Sequence, residues 1–96
     1  MFIRVVNITC KKGMEEKLRK VGREVLVPVN KKAGCHDVYF LEPCIDDNNP
    51  NFGVVSIWEK RETLLNMRAS KEYKDLLHLL GPLIEENTDT LFTAYS

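Results

Sequence analysis

Apolar residues along the chain alternate between a strand-like and a helix-like spacing. Residues 2–10 (FIRVVNITC) are rich in β-branched and aromatic side chains and read as a strand. Alternation puts Ile3, Val5, Asn7 and Thr9 on one face and Phe2, Arg4, Val6 and Ile8 on the other. Both faces are largely apolar, which predicts a strand covered on both sides. From Gly13 the period changes. Met14, Leu18, Val21, Val25 and Val29 fall within about 80° of helical arc, with Arg19, Lys20 and Arg23 opposite. Pro28 should end or kink this helix, because it lacks an N–H and crowds the preceding turn. Ala33-Gly34 supplies a residue suited to a left-handed C-cap.

Residues 35–42 and 52–59 read as two further strands, joined by the polar stretch PCIDDNNPN at 43–51, which is too long for a two-residue hairpin. A short helix is expected over 61–69. Ser70 then caps another, on which Tyr73, Leu76, Leu77, Leu80 and Ile84 share one face. Gly81-Pro82 should deform that helix, and 90–95 (TLFTAY) reads as a fourth strand.

The order β-α-β-β-α-β, with short right-handed connections, predicts an α+β ferredoxin-like fold: a four-stranded antiparallel sheet with helices on one face. The other face would be bare. Phe2, Val6 and Ile8 are expected on it, with Val55 and Ile57 from the third strand. Such a patch exceeds the few hundred Å² that a monomer usually exposes. A second copy packed sheet against sheet is the simplest cover, so the pattern predicts a homodimer.

At 96 residues and 11.1 kDa the chain is a single domain, 1–96, with no internal repeat or linker. Its 44% hydrophobic and 29% charged residues argue against disorder. Fourteen basic and fourteen acidic residues cancel, which disfavours a protein that grips nucleic acid by phosphate neutralisation. The cancellation conceals a net +6 over residues 1–32 and −6 over the remainder, a pattern that suits a basic solvated helix face or an anionic ligand. No apolar run is long enough for a secretion signal or a membrane span, so no membrane partner is expected. Cys10, Cys35 and Cys44 are odd in number and at no metal-ligand spacing, which predicts a reduced, cytoplasmic protein without a metal site.

Several short motifs together resemble the antibiotic-biosynthesis-monooxygenase (ABM) family. They are Lys12-Gly13 at the first helix, Ala33-Gly34-Cys35 (the family's P-G-C element), Ile57-Trp58-Glu59, the nearby Ser70, and Leu80-Gly81-Pro82-Leu83. The resemblance spans nearly the whole chain. It implies a dimeric α/β barrel, the pocket lying between the helices and the sheet. It also implies a choice among cofactor-free oxygenases of phenolic or quinol-type substrates, haem degraders and proteins without known activity.

That side of the sheet is expected to carry Asn7, Val54, Ser56 and Trp58. Trp58 matches a family position; its indole offers a stacking face and one N–H, or it fills the core. Asn7 is poorly favoured mid-strand, and its amide could orient a carbonyl or phenol oxygen or simply be satisfied locally. Leu64, Met67 and Arg68 lie at i, i+3 and i+4, where they could line a pocket mouth, with Arg68 neutralising an anionic oxygen or remaining a solvated charge. Tyr73 is the tyrosine expected to face a ligand.

Resemblance to the haem-degrading branch calls for a tryptophan at Met67 and a histidine at Leu77. Their absence disfavours haem, and His78 is expected to point to solvent. The expected function is a cofactor-independent monooxygenase of a small aromatic hydroquinone, phenol or enol. Asn7, Trp58 and Arg68 would then be catalytic, with Val54, Ser56, Leu64, Met67 and Tyr73 binding substrate. The alternative is a non-catalytic dimeric module that binds a small apolar ligand in the same pocket.

Overall fold

The computed structural model describes residues 1–45 and 49–96; Asp46, Asp47 and Asn48, within the expected polar turn, lie outside the described residues. The chain runs through β1 (Phe2–Cys10), a first helical segment, β2 (Asp37–Leu41) and β3 (Asn51–Trp58). Then follow α3 (Arg61–Arg68), α4 (Lys71–Leu80), a 3-10 turn (Gly81–Leu83) and β4 (Ile84–Thr93). The first helical segment is composite: α1 (Glu15–Val21), a π turn (Gly22–Leu26) and α2 (Val27–Lys32). The strands form one antiparallel sheet in the order β2-β3-β1-β4, which is the ferredoxin-like arrangement.

Turn chemistry acts as the sequence predicts at both helix boundaries that matter. Gly34 follows α2 with φ +99, a conformation that costs glycine little and other residues much. Ser70 caps α4, its Oγ accepting from the Tyr73 backbone N–H at 3.2 Å.

Pro28 neither ends nor breaks the first helical segment. The Val27 N–H donates to the Gly22 carbonyl, five residues back, and this π turn widens the helix just ahead of the proline. Gly22 begins that turn and packs closely on β2: a Cβ there would meet the Phe40 ring at 2.3 Å, so the ring would have to shift. At the other end, the 3-10 turn stops α4, so Ile84 opens β4 instead of extending the helix, and the fourth strand begins well before residue 90.

One expectation is reversed. Arg4, Val6, Ile8 and Cys10 are buried beneath the helices, whereas Asn7 is exposed on the opposite face. Register confirms the assignment, since Arg4 pairs with Ser56 and Val6 with Val54, both buried on the helix side. Two nearly equal apolar faces leave alternation without a preferred side. What decides it is Arg4, whose guanidinium finds partners only on the helix side. The bare face is therefore built from Ile3, Val5, Val55 and Ile57, with Tyr39, Leu41 and Phe92 still more exposed around them.

The helix side buries two clusters. The larger joins Val6, Ile8, Leu18, Leu26, Phe52, Val54, Leu76 and Leu80; the smaller is Trp58, Leu64 and Met67. Among the described residues no helix is long and apolar enough to cross a membrane.

Candidate functional site

A cavity of about 250 Å³ opens between the sheet, the first helical segment and α4. Its floor is Arg4, Val6 and Ile8 of β1 with Val54 of β3. Leu26 and Asn30 form one wall, and Tyr73, Leu76, Leu77 and Leu80 of α4 form the other. The rim is Glu85, Glu86 and Asn87 at the start of β4. β4 is an edge strand exposed along nearly its whole length, and this leaves the mouth open.

The polar chemistry is concentrated at Arg4. It is only 7% exposed, so it requires compensation. Nε donates to both Asp89 carboxylate oxygens at 3.0 and 3.1 Å, and Nη2 donates to Asp89 Oδ2 and, at 2.7 Å, to the Tyr73 hydroxyl. The guanidinium also lies 5.5 Å from the centre of the Tyr73 ring, within cation–π range.

Burial pulls the Arg4 pKa down, but the Asp89 hydrogen bond and the Tyr73 interactions outweigh it and leave it above its ordinary value. The same bond holds the Asp89 carboxyl below the usual carboxylate range. The result is a fixed guanidinium in the floor of the cavity, its charge balanced by Asp89, with a tyrosine hydroxyl tethered to it. Such a pair can hold a negatively charged or polarised oxygen.

Asn30 is the second polar element and is 3% exposed. Its Nδ2 donates to the Leu26 carbonyl at 2.9 Å, while its Oδ1 is buried with no hydrogen-bond partner among the described residues.

The expected site residues separate into groups. Val54 and Tyr73 line the cavity. Ser56, Trp58, Leu64 and Met67 are buried beside it without lining it. The Trp58 indole N–H donates to Ser56 Oγ at 2.9 Å, so its one donor is taken within the core. Met67 instead reaches a shallow depression with Pro28 and Ser70. Asn7 lies across the sheet from the cavity, its Nδ2 only 3.5 Å from Thr88 Oγ1, a marginal contact. Arg68 is exposed at the end of α3, contributing to the low pKa of Asp89 through its charge. His78 is exposed.

Among the described residues no cluster of three metal-ligating side chains occurs, and all three cysteines are free. Burial raises the pKa of Cys10 and of Cys35, which keeps both as thiols.

Arg4, Asn30 and Asp89 were not singled out by the sequence pattern. Arg4 carried a signal: a charged residue amid an apolar strand must find a buried partner or face water. Asn30 carried none that an α-helical period could reveal. The π turn adds a residue and rotates the following face by about 100°, so Asn30 takes the inward position assigned to Val29.

The family model described as antibiotic biosynthesis monooxygenase matches residues 1–78. Among solved structures, SnoaB, a cofactor-independent oxygenase from Streptomyces nogalater, aligns with TM-score 0.84 and 16% identity over 99% of this chain and 93% of its own. PA3566 of Pseudomonas aeruginosa gives 0.82 and 16% over 99% and 94%, and Rv0793 of Mycobacterium tuberculosis 0.82 and 14% over 99% and 95%. A search of curated protein sequences finds no match. At such low identity the structures speak for the fold alone; the match over residues 1–78 goes further, and by it this chain belongs to the antibiotic biosynthesis monooxygenase family.

Proposed function

We propose that the chain is a cofactor-independent monooxygenase of a small aromatic phenol, hydroquinone or enol, and that the cavity beside Arg4 is its substrate site. The observation that carries this reading is the pair of Arg4, held by Asp89, and Tyr73 set among the apolar side chains of the cavity's floor and walls. An electron-rich substrate anion is the species that can reduce O₂ directly. A buried guanidinium bonded to a tyrosine hydroxyl would favour that anion, and the apolar lining would exclude water from it.

In net terms the ring CH₂ of the substrate's keto tautomer and O₂ become a ring C=O and H₂O. Carbon supplies all four electrons, one oxygen atom enters the product and the other leaves as water. Arg4 and Tyr73 are assigned to the substrate oxygen, with Val54, Leu76 and Leu80 against the ring. Family membership supports the reaction class. The bare apolar sheet face supports a homodimer joined through it, and three unpaired thiols fit a reducing cytoplasm.

A second reading is a non-catalytic module that binds a small apolar ligand in the same cavity. What favours it is the lack of a free base deep in the site: among the described lining residues there is no histidine, the carboxylates of Glu85 and Glu86 stand at the rim, and the nearby Asp89 is committed to Arg4.

O₂ uptake with a panel of hydroquinones and polycyclic phenols separates the two. Uptake above the autoxidation blank that drops at least tenfold in Tyr73→Phe supports the oxygenase. Saturable binding of the same compounds without uptake supports the binding module.

A further inference from the structure

Asn30 reads as a ligand-selecting residue. An amide buried to this degree normally satisfies both its ends, because an unpaired polar atom away from water is costly. Here one end is fixed. Nδ2 donates to the Leu26 carbonyl one helical turn back, and flipping the amide would set Oδ1 against that carbonyl oxygen. Oδ1 is thus left buried and without a partner among the described residues, on a residue that borders the cavity.

Glu85, Glu86 and Asn87 stand at the rim, and the other polar groups deeper in the cavity have the opposite character. Arg4 has donors only, and the Tyr73 hydroxyl already accepts from Arg4 Nη2 and keeps its own proton to donate. Two ends of one cavity thus ask for different things from a ligand.

We infer that Asn30 Oδ1 accepts a hydrogen bond from the bound molecule, so that the cavity selects aromatic ligands carrying a protonated hydroxyl or N–H in addition to any oxygen held by Arg4. This rests on the substrate site proposed above and narrows its substrate class. A dihydroxy or aminohydroxy aromatic satisfies both ends. An aryl ether satisfies only the donors and leaves Oδ1 orphaned. A site built around a buried acceptor rejects an analogue without the donor far more strongly than it rejects a change in size.

The test uses 1-naphthol and 1-methoxynaphthalene, which differ in the donor and by one methyl, titrated by calorimetry into the wild-type protein, Asn30→Leu and Tyr73→Phe. Wild type is expected to prefer 1-naphthol by roughly tenfold. Asn30→Leu should erase that preference while still binding the ether, and Tyr73→Phe should keep it. A preference that persists in Asn30→Leu overturns the inference.

Should Asn30→Leu fail to fold, the wild-type Asn30 side-chain amide resonances provide the reading. They should shift with 1-naphthol and stay put with the ether, and equal response to both overturns the inference. Donor-selective binding without O₂ uptake from any hydroquinone removes the oxygenase reading and leaves this one intact. O₂ uptake with no donor preference does the reverse. Failure of both probes to bind removes the cavity as a ligand site, and this inference with it.

Discussion

Arg4 on β1 and Asp89 on β4 form an ion pair although neither is the other's register partner. Arg4 stands opposite Leu91, and Asp89 opposite Val6. The bond runs along the diagonal between neighbouring strands, which only a long side chain can span. It ties the edge strand to the centre of the sheet and turns the guanidinium toward α4, where Tyr73 meets it.

Removing Asp89 should therefore cost stability in a pH-dependent way. Asp89→Ala leaves a buried guanidinium without its carboxylate, a loss of about 1–3 kcal/mol, less than for a fully buried pair because Asp89 reaches solvent. Arg4 holds Asp89 below its ordinary value of 3.8, so the stabilisation is complete above that value and disappears as pH falls through the lower folded one. Urea melts across pH 2 to 6 should show wild type losing its advantage over Asp89→Asn below pH about 4. Parallel curves for the two proteins would rule this out.

Trp58 should behave as core rather than as a binding residue. Its ring is fully buried with Leu64 and Met67, and its N–H is held by Ser56. Trp58→Phe leaves a gap and an orphaned hydroxyl, worth about 1–3 kcal/mol in a denaturant titration. Calorimetric binding of 1-naphthol should stay at the wild-type value. A large loss of affinity with stability unchanged would mean that the indole contacts the ligand.

These two residues mark how much of the molecule the sequence makes legible. Element order and the Gly34 and Ser70 boundaries follow from local chemistry that repeats in any fold, so pattern finds them. Of the expected site, Val54 and Tyr73 reach the cavity, because the strand and helix periods that place them run undisturbed. Asn7 is misplaced because β1 has two apolar faces, and the choice between them rests on the contact of Arg4 with Asp89, 85 positions further along the chain. Asn30 is hidden by the π turn, which no α-helical period anticipates. The chemistry of the cavity thus lies in one long-range pair and one local irregularity, the two things periodicity does not carry.

Gly22 should tolerate no side chain. In a helix interior, Gly→Ala normally gains up to about 1 kcal/mol. Here the added methyl would sit 2.3 Å from the Phe40 ring, so the ring would have to shift from its place beside Phe52, whose ring centre lies 6.0 Å away. Overpacking of this kind costs about 1–3 kcal/mol, so the clash should outweigh the propensity. Gly22→Ala is expected to lower the urea midpoint, and Gly22→Ala with Phe40→Leu to recover part of the loss. A midpoint raised by the single change would show that the helix and β2 can separate freely.

The bare sheet face leads to the prediction about assembly. Val55 occupies its centre, opposite Val5 on one side and Tyr39 on the other. One polar pair at its margin is already satisfied: the Tyr39 hydroxyl donates to Asp37 Oδ2 at 2.6 Å, a bond that lowers the Asp37 pKa and raises that of Tyr39. An apolar centre with a satisfied polar edge suits a self-complementary interface, in which each copy presents Val55 near the symmetry axis. Val55→Lys would bring two ammonium groups together there, away from water, at a cost no rim contact could offset. Wild type should sediment at twice 11.1 kDa, and Val55→Lys at 11.1 kDa with an unchanged circular dichroism spectrum. A monomeric wild type at micromolar concentration would mean that this face is covered by something other than a second copy. A Val55→Lys protein that still sediments as a dimer would move the interface to another part of the surface.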